Sequence, residues 1–120
     1  MRVLFVCIGN SCRSQMAEGW ARYLGINCAS AGTHPATQVA TNAVKVMAEK
    51  GIDISEQIPN RVDDFHDDDF DLIFSMGCGV SCPNLPLAGD WQLEDPVGQS
   101  LEVYRETRDR IEKKIRELLA

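Results

Sequence analysis

No hydrophobic run in this 120-residue chain is long enough to span a membrane. The first apolar run, Val3 to Ile8, follows a single arginine and holds six residues, too few for an export signal as well. The expectation is a cytoplasmic protein that does not engage membranes. Basic charge is also in deficit: 12 Lys and Arg face 18 Asp and Glu, leaving a net charge of −6. A general nucleic-acid binder normally shows the opposite balance, so none is expected here. Histidine is nearly absent. His34 beside Pro35 reads as a loop residue and His66 as a surface residue, and neither stands where a base would. The acidic run from Asp63 to Asp69 lacks the glycine and spaced ligands of a calcium loop. It reads as a solvated turn or helix start, and no metal is expected. Repeats, linkers and low-complexity segments are missing too, so residues 1–120 form a single domain long enough for a core. Nothing demands more than a monomer. Cysteine, by contrast, is present five times, an odd number ill suited to a static disulfide framework in a reducing compartment.

The apolar pattern alternates between strands and helices. Residues 2–6 form a strand without polar alternation, as expected of one covered on both faces. Met16, Ala17, Trp20, Ala21 and Leu24 follow helical spacing over residues 11–24, and Gly25 is a natural stop. A second strand is expected over 26–31, a second helix over 36–50, and a shorter helical region after Ser55, interrupted by Pro59. Strands follow at 71–76 and 91–93, around a loop at 77–86 rich in Gly and Pro. A final helix at 98–119 carries Leu101, Tyr104, Ile111, Ile115 and Leu118 along one stripe. Such alternation implies an α/β fold with a parallel sheet covered on both sides. Ligands in these folds bind beyond the carboxyl ends of the strands.

The end of the first strand carries the strongest chemical signal. Cys7 is followed by Ile8, Gly9, Asn10, Ser11 and Cys12, then by Arg13 and Ser14 at the start of the helix. Gly and Asn tolerate unusual backbone angles, so the turn can direct successive N–H groups into a nest for a tetrahedral oxyanion. The helix adds unpaired N-terminal donors and the positive end of its dipole. Arg13 supplies a planar fork for two oxygens. A cysteine at the floor of that cup sits where a thiolate is most stabilised. A free thiol is only about 3% ionised at neutral pH, and a pKa lower by roughly two units makes most of it nucleophilic. The alternative, a merely buried strand-end cysteine, leaves the coincidence of Cys, Gly-Asn, Arg and Ser unexplained.

Cys78 and Cys82 form a second feature. In a helix their Cα atoms would lie roughly 6 Å apart, within the approximate 4.4–6.8 Å window of a disulfide. Three readings stand open: a zinc half-site without two further ligands, inert core cysteines, or a redox pair beside the thiol of the anion cup.

The run Val6-Cys7-Ile8-Gly9-Asn10-Ser11-Cys12-Arg13-Ser14-Gln15-Met16-Ala17-Glu18 resembles the loop shared by low-molecular-weight protein tyrosine phosphatases and the arsenate reductases built on the same fold. Phosphatases of that family usually carry proline where this chain has Gln15, and the continuation through Gly19 and Trp20 is closer to the reductases. Cys82-Pro83 is similar to the three-cysteine reductases, although the pair is more closely spaced here. Around residues 90–96 and 98–104 the chain also resembles cyanobacterial reductases that depend on glutathione and glutaredoxin. The resemblance implies a four-stranded parallel sheet with helices on both faces. It implies reduction of arsenate, with phosphate or sulfate as analogues held by residues 8–14. Cys7 would be the nucleophile and Asp95, in Asp95-Pro96, the general acid. Cys78 and Cys82 would form the relay, with thioredoxin the expected donor and glutathione with glutaredoxin the alternative; no cofactor is tightly bound. Asn10 is expected to brace the loop through bonds to its backbone. Glu18 and Ser30 match positions that help hold potassium in some reductases, but Ile58 and Asn60 replace better ligands, so no potassium site is expected. A tyrosine phosphatase is the alternative enzyme, although Val97-Gly98 stand where substrate-gripping tyrosines usually follow Asp-Pro. A non-catalytic oxyanion or redox sensor is a third reading.

Overall fold

The structure is a computed structural model that describes residues 1–77 and 85–120. Four parallel strands, β1 (Arg2–Cys7), β2 (Asn27–Gly32), β3 (Leu72–Ser75) and β4 (Gly89–Asp90), lie in the order β2-β1-β3-β4. The helices are α1 (Arg13–Tyr23), α2 (Thr41–Ala48) and α3 (Leu101–Leu119). β1 is a central strand with neighbours on both sides, and the strand order reverses beside it. Its carboxyl end is therefore where a parallel sheet of this kind opens a binding crevice.

Alternation along β1 divides the core in two. Val3, Phe5 and Cys7 face a cluster with Met16, Trp20, Val46, Met47, Ile111 and Ile115, drawn from all three α-helices. Leu4 and Val6 face a smaller cluster with Val62, Phe70 and Ile73. Short 3₁₀ turns at Val62–Asp64 and Asp67–Asp69 run along that second face. The sheet is thus covered on both faces, as the pattern of its strands requires. Arg2 holds the chain just after the acidic run: its backbone N–H donates to Asp71 Oδ2 at 2.7 Å and its guanidinium lies 4.6 Å from the Phe70 ring centroid. Among the described residues no helix is long and apolar enough to cross a membrane.

Several boundaries differ from the sequence reading, each for a tertiary reason. α2 begins at Thr41 rather than Ala36, because the N–H groups of Ala36 and Ala40 donate to Gly9 O and Ser11 O. The region after Ser55 forms no helix. It runs past Pro59 to pair with the end of β2, where Gly32 bridges Arg61 and donates to Asn60 O at 2.9 Å. The fourth strand is Gly89–Asp90, not 91–93. Trp91 turns its ring onto Phe5 and Phe74 at 5.6 and 5.1 Å, and Gln92 enters the left-handed region at φ 50°. α3 starts at Leu101, after Gly98 at φ 79°.

Candidate active site

The loop between β1 and α1 is held by its carbonyl groups. Cys7 O accepts from Thr33 N, Ile8 O from His34 N, Gly9 O from Ala36 N and Ser11 O from Ala40 N, at 2.8–3.2 Å. Asn10 O accepts from Gln15 Nε2 at 3.0 Å. Five successive carbonyls are thus bonded to groups outside the turn. No peptide bond among the described residues is cis, and in a planar trans peptide the next residue's N–H points opposite the carbonyl. The N–H groups of residues 8–12 are therefore turned the other way, toward the interior of the cup. That of Asn10 donates to Cys7 Sγ at 3.1 Å.

Only one residue of the turn adopts the left-handed conformation that such a cup requires, and it is Asn10 at φ 48° rather than Gly9. Gly32 supplies the other special requirement. A Cβ there would stand 2.6 Å from Ile8 O and 2.9 Å from Asn10 N, so the loop closes over β2 only because residue 32 lacks a side chain.

Hydrogen-bond polarity around Cys7 can be worked out from fixed backbone groups. Asn60 N–H donates to Asn10 Oδ1 at 2.8 Å, which orients the Asn10 amide. Its Nδ2 consequently donates to Ser14 Oγ at 2.7 Å. Ser14 accepts there and keeps its own hydrogen available; Cys7 Sγ lies 2.8 Å away and would accept it as a thiolate. A hydroxyl and an amide N–H thus lie beside the sulfur of Cys7, a residue only 2% exposed. Hydrogen bonds to an ionised acceptor are the stronger kind, and both groups lie within bonding distance of this sulfur. The Asn10 side chain, expected to bond the loop's own backbone, engages Ser14, Gln15 and Asn60 instead.

Arg13 opens α1, whose N-cap, Cys12, makes no side-chain capping bond. Nη1 of Arg13 donates to Leu93 O at 3.0 Å and Met76 O at 3.3 Å, which ties the ends of β3 and the 91–95 segment to the cup. Nη2 lies 3.8 Å from Asp95 Oδ2, and the buried Nε has no partner among the described residues. The Nε–Nη2 edge is the fork that suits two oxygens of a tetrahedral anion.

Asp95 is brought to this edge and is half-exposed. Its Oδ1 accepts from Val97 N at 3.1 Å and from the Cys12 thiol at 3.6 Å. Burial first, then the negative fields of Asp95 and Cys7, push the Cys12 thiol up to about 12, so it stays protonated and donates. The structure thus gathers Cys7, Cys12, Arg13, Ser14 and Asp95 in one place. Cys78 and Cys82 lie outside the described residues. Behind the loop, Ser30 Oγ donates to Glu18 Oε1 at 2.6 Å and Arg22 pairs with Glu18 Oε2 at 2.9 Å. No group of three or more His, Cys, Asp or Glu is placed to hold a metal among the described residues.

Four contributors to this geometry were not singled out in the sequence for the part they play: Gln15, Gly32, Gln57 and Asn60. Gln15 alone carried a signal, standing directly after the Arg-Ser pair.

The chain is similar to known proteins over most of its length. The sequence profile of the family described as low molecular weight phosphotyrosine protein phosphatase matches residues 2–85. A "Glutaredoxin arsenate reductase" of Synechocystis sp. is 45% identical, over 99% of this chain and 96% of that protein. "Arsenate reductase 1" of Bacillus cereus is 41% identical, over 95% of this chain and 90% of that one. Among solved structures, an arsenate reductase in the phosphate-binding state superposes with a TM-score of 0.90 at 44% identity, covering 98% of this chain and 95% of its own. An arginine phosphatase from Geobacillus stearothermophilus superposes at 0.83 with 29% identity, covering 98% and 89%.

Proposed function

The chain belongs to the low molecular weight phosphotyrosine protein phosphatase family, and from that premise we propose that it is an arsenate reductase. The observation that carries the reading is the cup itself: amides of residues 8–12 turned opposite their bonded carbonyls, a buried Arg13 Nε without a partner among the described residues, and a sulfur at the floor beside Asn10 N and Ser14 Oγ. Arsenate has the shape and charge this cup accepts. Cys7 attacks arsenic(V), and an oxygen leaves as water with a proton from Asp95, giving a sulfur–arsenic bond. The Cys78 thiolate then attacks Cys7 Sγ. The electron pair of the sulfur–arsenic bond stays on arsenic, which leaves as arsenite, and a Cys7–Cys78 disulfide forms. Attack of Cys82 on the Cys78 sulfur releases Cys7 as thiolate and moves the disulfide to Cys78–Cys82. An external dithiol such as thioredoxin reduces that bridge.

A second reading concerns the donor alone. The Synechocystis relative is named for glutaredoxin, which favours a glutathione and glutaredoxin system for this chain as well. The same cup accepts a phosphoryl group, so slow hydrolysis of an aryl phosphate is expected as a side activity.

Arsenate turnover with the thioredoxin and glutaredoxin systems supplied separately tests both readings. Cys7→Ser is expected to be inactive with either donor, and turnover by it overturns the mechanism. With thioredoxin, Cys82→Ser is expected to stop after one turnover, with mass spectrometry showing the Cys7–Cys78 disulfide. Multiple turnover by that variant with thioredoxin removes Cys82 from the relay. Turnover of the unmodified chain with glutathione and glutaredoxin only selects the second donor.

A further inference from the structure

Of the five loop carbonyls that face away from the cup, four are held by backbone N–H groups of residues 33–40. The fifth belongs to Asn10, the residue in the left-handed conformation, and its donor is a side chain, Gln15 Nε2 at 3.0 Å. That conformation is unfavourable for a residue with a Cβ and persists only when its surroundings hold it.

Gln15 is fully buried, and its amide faces three acceptors: Asn10 O, Asn10 Oδ1 at 3.1 Å and Ile58 O at 3.0 Å. Two of these are backbone carbonyls, which can only accept, so the orientation of the amide follows. With two N–H hydrogens for three oxygens, one hydrogen is shared. The opposite end, Gln15 Oε1, accepts from Gln57 Nε2 at 2.7 Å. Gln57 is oriented in turn by donating to the Gln15 backbone O at 3.1 Å. A chain of oriented amides therefore runs from residues 57–60 through Gln15 to Asn10, and from Asn10 to the sulfur both directly and through Ser14.

We propose that Gln15 is a positioning residue for the Cys7 nucleophile, with Gln57 as its anchor: together they hold Asn10 in the conformation that aims its N–H at the sulfur and its side chain at Ser14. The proposal rests on the reading of Cys7 as nucleophile. Gln15 touches neither the sulfur nor the anion. Its effect passes through Asn10 alone.

Three variants test it: Gln15→Leu, which keeps bulk without a donor; Gln15→Glu, whose carboxyl offers at most one hydrogen to the three acceptors; and Gln57→Leu, which removes the anchor and leaves Gln15 in place. The readouts are the iodoacetamide alkylation rate of the Cys7 peptide at pH 7, followed by mass spectrometry, together with kcat and KM for arsenate and the melting temperature. Gln15→Leu and Gln15→Glu are expected to slow alkylation of Cys7 about 5- to 10-fold, the size of one lost hydrogen bond in this setting. The arsenate kcat falls by a similar factor. Gln57→Leu moves both in the same direction by about 2- to 3-fold, because only the support of Gln15 is lost. A lowered melting temperature with alkylation and kcat unchanged in all variants overturns the proposal, since a merely structural role predicts that outcome. Should the Gln15 variants fail to fold, Gln57→Leu decides: an unchanged alkylation rate overturns the proposal. Failure of the underlying reading shows separately, in the unmodified protein, as a Cys7 that alkylates no faster than Cys28.

Discussion

Gly9 stands inside the sequence motif and Gly32 lies far from it, yet substitution should hurt the second far more. A Cβ at Gly32 would meet Ile8 O at 2.6 Å, Asn10 N at 2.9 Å and Asn10 Cβ at 3.0 Å. The first two are backbone atoms of the anion loop, with no flexible end to swing aside. Relief requires the loop to lift from β2 by the better part of an ångström. Asn10 N–H is then carried away from Cys7 Sγ, with which it makes a 3.1 Å bond. A hydrogen bond to a charged acceptor is worth about 1.5–3 kcal/mol, so kcat/KM for arsenate should fall about 10- to 100-fold in Gly32→Ala. Overpacking should also lower stability by about 1–3 kcal/mol. A Cβ at Gly9 would meet only Ser11 Oγ at an ordinary 3.5 Å, and its φ lies outside the left-handed region. Gly9→Ala should keep kcat/KM within about threefold, since no bond of the cup is disturbed. Steady-state kinetics and thermal melts of the two variants check this. A Gly32→Ala protein with undiminished kcat/KM, or a Gly9→Ala protein that is the more damaged of the two, refutes the reasoning.

Two further perturbations probe the same molecule. Ser14→Ala deletes the hydroxyl that contacts Cys7 Sγ and accepts from Asn10; kcat should fall about tenfold or more, with a smaller change in KM, and unchanged kcat in steady-state assays counts against a role for this hydroxyl at the sulfur. Burial first, then the field of Glu18, push the Cys28 thiol from 9.0 to about 11. The folded chain therefore keeps a proton that the unfolded chain sheds, and stability falls as pH rises through that interval. Cys12, raised to about 12, acts with the same sign. Melting temperatures between pH 8 and pH 10.5 should decline less steeply in Cys28→Ala than in the unmodified protein, and parallel curves would exclude this contribution.

Residues 7–14 disclose their chemistry within one continuous stretch because a strand end, a turn and a helix start are local events. The types of Cys7, Asn10, Arg13 and Ser14 already specify a nucleophile, a left-handed turn, a cationic fork and a hydroxyl. Strand and helix identities follow from apolar period, and the stripe from Leu101 to Leu118 is buried on one side as its spacing requires. What spacing could not convey is where backbone groups become engaged by distant partners. Residues 36–40 have the composition of a helix start, but two of their N–H groups are committed to the loop carbonyls, and the helix waits until Thr41. Residues 57–60 carry no motif, yet Asn60 N–H sets the direction of the Asn10 amide and, through it, of the Ser14 hydroxyl. The sequence by itself determined which residues make up the proposed site. Only the tertiary structure decided how they are aimed, because a peptide's orientation depends on what its carbonyl finds to bond. Here those partners lie from 5 to 29 residues further along the chain.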